Sequence, residues 1–177
     1  MNSRIALSGV LWLASAVLPA GLHAQAATDN PSVTAQLEAA KPLIAKIKKD
    51  AAELQSFSLA SGPSWQSHAA VLTRIKEDVN KLQENMRGLL SHRTAASPWQ
   101  QDAIDRVTSL INDLATNMNK AMDHLNKSKD RPNKAPYPEY LKANTQIVNA
   151  LAEEIDGTID YGENKAKADA LESKLPE

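Results

Sequence analysis

Three residues of this 177-residue chain combine reactive side chains with a spacing that predicts a shared layer: His68, Met122 and Asn144. His68 lies in the stretch SWQSHAAVLTRI, residues 64–75, on the same helical stripe as Trp65, Leu72 and Ile75. An imidazole on an apolar stripe is either a ligand or a core residue that has found a hydrogen bond. Antiparallel pairing of neighbouring helices brings Met122 and Asn144 into its layer, and Asn144 lies on the core stripe of its own helix. His and Met on facing helices are the axial pair of some haem-binding bundles, so haem b or a metal is one reading of this layer. The reading we favour is a buried polar layer. In it, imidazole and carboxamide satisfy each other and fix the register of otherwise similar stripes. A porphyrin needs small residues facing it, and bulky ones surround this layer. Bundle b-type cytochromes also draw Met from helix one and His from helix four, which here carry neither.

Other chemistry lacks its parts. A di-iron bundle needs Glu-x-x-His twice, and the residues three before His68, His92 and His124 are Trp65, Leu89 and Ala121. His92 falls near a helix end, where a cation suits the dipole. His124 follows Asp123 on what should be an outer, solvated face. There is no Gly-rich phosphate loop, no Gly-x-Ser-x-Gly and no His-Glu-x-x-His. The chain has no cysteine, which removes disulfides, thiolate metal sites, a thiol nucleophile and covalently attached haem. Its formal net charge of -1 argues against nucleic acid. The run NKSKDRPNK, with Lys127, Lys129, Arg131 and Lys134, reads as a solvated loop. We therefore expect no catalytic residue, no metal site and no enzyme.

Four long amphipathic segments must position the layer. Val33, Leu37, Ala40, Ile44, Ile47, Ala51 and Leu54 recur by fours and threes. So do Trp65, His68, Leu72, Ile75, Val79, Leu82, Met86 and Leu89. A third stripe runs Ile104, Val107, Ile111, Leu114, Met118, Ala121 and Leu125. The fourth is Leu141, Asn144, Val148, Leu151 and Ile155, with Ile147 and Ile159 beside it. A sustained 3.5-residue spacing gives a narrow seam that packs at small crossing angles. Helices are expected over about 31–58, 64–93, 98–127 and 138–173, each about 40 Å long. The short connections predict an all-α, elongated, antiparallel up-down-up-down four-helix bundle, one domain over 27–177, with coiled-coil-like packing.

The punctuation agrees. SPWQ, residues 97–100, is a capping box with proline at the first helical position. SGPS at 61–64 and DRPNKAPYP at 130–138 break the pattern between helices. Pro42 falls inside the first stripe. It predicts either a kink or a helix that starts there, and we favour the kink because a late start would waste Val33 and Leu37. Gly157 and Gly162 weaken helix four by about 1 kcal/mol each relative to alanine. Small residues at Gly88, Ala103 and Gly162 would make room for the rings of Trp99 and Tyr161. The alternative is a break near Gly162 with a separate helical tail, although a continuous, solvated, charged helix is the simpler expectation.

The first 26 residues read as an address. Arg4 precedes an apolar run, IALSGVLWLASAVL at 5–18, too short for a comfortable membrane span. Pro19 and Gly21 break it, and AQA at 24–26 supplies small residues for cleavage after Ala26, with Ala24 the weaker alternative. Removing the leader leaves 19 basic and 21 acidic side chains, a formal charge of about -2. The expectation is a periplasmic or secreted protein with no stable membrane insertion after cleavage. A chain free of cysteine suits that oxidising compartment.

The segments WQSH, SPWQQDAID, HLN, YPEYLKAN and IDYG, in this order, resemble an uncharacterised family of exported helical-bundle proteins of the acidobacterial type. The resemblance covers the chain from about helix two onward. It implies export and an all-helical fold, and no particular activity. The expectation is a binding or scaffolding protein of the envelope, acting through its outer faces on an envelope protein or by self-association.

Overall fold

The computed structural model describes residues 28–59, 63–129, 131 and 133–174. The leader expected over 1–26 lies outside the described residues. Four helices carry the rest: α1 (Pro31–Leu59), α2 (Trp65–Ser91), α3 (Pro98–Lys127) and α4 (Tyr137–Glu172). A 3-10 turn at Arg93–Ala95 joins α2 to α3, where the pattern alone had suggested helix to residue 93. Each helix packs on its neighbours in sequence, and α4 closes onto α1. Ion pairs fix the directions. Lys46–Asp78 and Asp50–Arg74 join α1 to α2; Arg106–Glu154, with the Asn117–Asn144 hydrogen bond, joins α3 to α4; Lys41–Asp156, with Asp29–Lys165 just before α1, joins α1 to α4. In each case positions that rise along one helix meet positions that fall along the other. The result is the antiparallel up-down-up-down bundle that the stripes predict.

The seam is the core. Every residue of the first and third stripes is buried. So is every residue of the second except Trp65, which is half-buried. On α4, Leu141, Asn144, Val148, Leu151, Ile155 and Ile159 are buried and Ile147 is half-buried. Aliphatic side chains at this spacing each contribute about 1.5–3 kcal/mol on full burial, which is what holds helices of modest propensity together.

The end of the bundle where α1 begins is tied by polar groups. Gln100, in the capping box of α3, accepts the Ser97 amide at 3.2 Å and the Asn30 amide at 2.8 Å on Oε1. Its Nε2 donates to the Asn30 carbonyl at 3.0 Å. Trp99 Nε1 donates to Asp29 Oδ1 at 2.7 Å, and Lys165 of α4 reaches Asp29 at 3.5 Å. One capping residue thus serves both the start of its own helix and the start of α1.

Proline and glycine fall where the pattern flagged them. α1 runs through Pro42 with Val33 and Leu37 buried, so the helix does not start there. Proline has no amide hydrogen, and the Glu38 carbonyl is left without its intrahelical donor. α4 does not break at Gly162 but continues to Glu172, exposed from Ala166 on and laced by Lys165–Asp169 at 2.6 Å. At Gly162 an added Cβ would lie 3.1 Å from the Trp99 ring, which packs edge-on against Tyr161 at 5.0 Å. Gly162 therefore makes room for a ring, as expected. Gly88 does not: it faces the Gln36 side chain, at 3.3 Å from an added Cβ. Gly157 has nothing within 4 Å of an added Cβ.

The two glycines of α4 should respond differently to the same change. Gly157→Ala, into open space, should stabilise by about 0.5–1 kcal/mol through backbone entropy. Gly162→Ala should gain less or lose stability, because Trp99 is held by Asp29 and Tyr161. Urea denaturation at neutral pH ranks the two; equal gains would mean that Trp99 yields freely.

Candidate functional site

The His68 layer forms at the opposite end, where α1 finishes, α2 starts, α3 finishes and α4 starts. Ser64 caps α2, its Oγ accepting from the Ser67 amide at 3.3 Å. His68 follows one turn later and points inward, with no exposed surface. Its partner is Tyr137, the first residue of α4 and equally buried, whose hydroxyl lies 3.1 Å from His68 Nδ1. Phe57, in the last turns of α1, packs edge-on against the imidazole at 5.3 Å. His124 of α3 stacks on Tyr137 at 5.8 Å and 20°, and Tyr140 meets His124 edge-on at 6.4 Å. Five rings cross this end of the bundle. Burial lowers the pKa of His68 and raises that of Tyr137, so both are neutral at pH 7.

The expected trio does not assemble. Asn144 is buried, but its Nδ2 donates to Met118 Sδ at 3.1 Å and its Oδ1 accepts from Asn117 Nδ2 at 2.9 Å. Asn117 Nδ2 also lies 2.7 Å from the Tyr140 carbonyl. Imidazole and carboxamide therefore do not satisfy each other. Tyr137 stands seven residues before Asn144, about 10 Å along the helix, and fills the place opposite His68. Asn144 sits two turns further in, level with Met118 rather than Met122. Met122 is half-buried against the core. His124 is a further correction. Its ring is half-buried on Tyr137, not solvated, and its Nε2 is buried. Trp65 lies under the Lys129 ammonium, 4.7 Å from the ring centroid, so one lysine of the basic run has a specific contact.

His68, Met122 and Asn144 do not converge as the expected ligand set would: the rings of Phe57 and Tyr137 pack against His68, Asn144 is paired with Met118 and Asn117, and neither concavity described below is lined by any of the three. Among the described residues no three His, Asp or Glu side chains converge as a metal would require.

Two features went unseen in the sequence. The first is a charge ladder across α1 and α2. Asp78, only 1% exposed, meets Lys46 at 2.7 Å and Lys81 at 3.2 Å. Asp50 takes Arg74 through two bonds of 3.2 and 3.3 Å, and Arg74 also reaches Glu53. Burial alone would raise the Asp78 pKa; hydrogen bonds and charge from the two lysines outweigh it and hold the carboxyl low. The signal was there: Asp50 and Asp78 directly precede seam residues, the flanking positions where helices exchange charge. The second is a groove of about 490 Å³ between α1 and α4. Pro42, Ile44, Ala45, Ala152 and Ile155 line it, with Glu38, Lys41, Lys48 and Asp156 at the rim. A shallower cleft of about 360 Å³ lies between α3 and α4, beside Arg106, Gly157 and Tyr161.

No family model, no curated protein and no solved structure matches this chain. Whatever it does must be argued from its own surfaces.

Two substitutions test this geometry. Tyr137→Phe leaves His68 Nδ1 buried and unpaired and should destabilise by about 1–3 kcal/mol. Tyr140→Phe should change stability by less than about 0.5 kcal/mol; a similar loss from both would deny the specific bond. Because its folded pKa is depressed, Asp78 contributes stability that is present above the unfolded value of about 3.9. That stability is lost as pH falls through the folded value. Asp78→Asn should thus lower the urea midpoint at pH 7, and the gap to wild type should close toward pH 2–3. A gap that persists there would reflect packing rather than charge.

Proposed function

We propose that this protein is an exported, non-enzymatic helical bundle that binds or scaffolds in the cell envelope through its outer surface. The groove between α1 and α4 at Pro42 is its working surface. The observation that carries this reading is the contrast between inside and outside. The interior is filled by seam residues, and its polar groups pair with one another rather than converging on a cavity. The groove, in contrast, presents apolar surface within a charged rim to solvent. Apolar floor with polar rim is the common anatomy of a protein-binding patch.

Proline supports the same reading. A helix of twenty-nine residues that keeps Pro42 inside it gives up a backbone hydrogen bond on the face that borders the groove. Export rests on the charged, apolar and small-residue order of residues 1–26 and on the absence of cysteine. Consistent with a mature chain that is not inserted, no described helix is long and apolar enough to cross a membrane.

A photo-crosslinking residue at exposed Ala45, in the groove, tests the proposal in whole cells against the same residue at exposed Lys120 on α3. The expected result is a discrete adduct from Ala45 only, on a chain recovered by osmotic shock and beginning at Ala27. Ala152→Arg, which fills the groove, should abolish that adduct. Equal labelling from both positions, or recovery of the chain only from the cytoplasm, would overturn the reading.

A further inference from the structure

We propose that the His68 layer is an acid-sensitive latch: protonation of His68 opens the loop end of the bundle while the Trp99 end stays closed. The inference is independent of what the groove binds. His68 has no exposed surface, and its Nε2 has no hydrogen-bond partner among the described residues. Whichever nitrogen carries the proton of the neutral ring, only Nδ1 finds a partner, the Tyr137 hydroxyl. A second proton would place an N–H and a full charge against rings.

Among the described residues the surroundings offer that charge no counter-ion. From α1 comes Phe57, which is uncharged. From α4 comes Tyr137, whose hydroxyl burial keeps protonated. From α3 comes His124, stacked behind Tyr137 and itself holding a buried Nε2 with no partner. On the helix of His68 itself, Trp65 carries Lys129 over its ring, a further positive charge. No carboxylate of the described residues contributes to holding His68 charged, and its only resolved perturbation is burial, which favours the neutral ring. An imidazolium is therefore accommodated only where water reaches it.

Position makes opening local. The layer lies at the ends of all four helices, where few backbone bonds need break. The other end keeps its own ties, Asn30 to Gln100 and Asp29 to Trp99. The sign follows from linkage. The closed state binds fewer protons than the open one, so closure is at full strength above the ordinary imidazole value of about 6.5 and weakens below it. The opening constant should rise by up to about tenfold per pH unit until the folded His68 itself titrates. Opening would present Phe57, Trp65, Tyr137 and Tyr140, an aromatic surface the closed bundle hides or half-hides.

Amide hydrogen exchange of the mature chain at pH 7.5, 6.5 and 5.5, corrected for intrinsic exchange, tests this. Protection over 65–72 and 137–144 should fall by up to about tenfold per pH unit below 6.5, with 98–110 unchanged. His68→Gln should abolish the pH response and His124→Gln should keep it. Should His68→Gln not fold, the ring nitrogen shifts of His68 in the wild-type protein decide. A midpoint below 6.5 that tracks the loss of protection supports the latch. An ordinary midpoint with unchanged protection overturns it, as does equal loss at both ends. A His68→Gln variant that keeps the response, or a His124→Gln variant that loses it, overturns it too.

Discussion

A seam of Leu, Ile, Val and Ala spaced 3.5 residues apart packs almost as well one heptad out of register, a slip of about 10 Å, because the apolar face repeats itself. Burial drives the four helices together and does not say how far each is to slide. In this chain the answer comes from polar groups placed at intervals along the seam. His68 meets Tyr137 at one end, Asn144 meets Met118 and Asn117 two turns in, and Gln100 holds Asn30 at the other end. A slip by one heptad would bury each of these against aliphatic carbon, and an unpaired buried polar group costs about 1–3 kcal/mol. Three such layers, on different helix pairs, distinguish one register from its neighbours by several times thermal energy.

The same logic explains why the buried carboxylates Asp50 and Asp78 lie at the flank between α1 and α2 rather than within the seam. Asp78 and Asp50 are buried at the flank, where Lys46, Lys81 and Arg74 reach them from half-exposed positions that keep the cations partly in water. A fully enclosed ion pair would have carried a desolvation penalty that its attraction need not repay. At the flank, the carboxylate is shielded and the cation is not. The ladder therefore directs pairing of α1 with α2 at modest energetic cost, leaving the core to aliphatic packing.

Much of this was legible in the sequence because helix periodicity is a strong signal in a chain with so few competing cues. The four stripes, the Ser97–Gln100 box and the room Gly162 leaves for Trp99 all follow from spacing and residue type. The composition of the His68 layer does not follow in the same way. Placing Met122 and Asn144 beside it required counting across the loop at 128–136, and a miscount of one turn exchanges the layer's members. Tyr137, the first residue of α4, lies four before Leu141 on the same stripe, so its burial at this end follows from the pattern; that its hydroxyl, rather than Asn144, reaches His68 does not. His124 was misplaced for a related reason. It sits beside the stripe, and only the tyrosine arriving from the loop turns that flank into an interior.

The division of labour that results bears on where activity can reside. A bundle whose register depends on its internal polar groups has committed them to structure. His68, Asn144 and Gln100 each hold a partner from another segment, so turning any of them to substrate would loosen the fold. That pushes binding outward, to surfaces where nothing is owed to register. The α1–α4 groove is such a surface, because its floor comes from the edge of the seam and its rim from charged residues at the surface, of which Lys41 and Asp156 pair with each other across α1 and α4. The His68 layer is the exception: its Nε2, like that of His124 behind Tyr137, is a buried position whose hydrogen-bonding capacity is left unused among the described residues. A group that is essential to register and incompletely satisfied joins the two roles, and it makes the integrity of that end depend on the protonation of one ring.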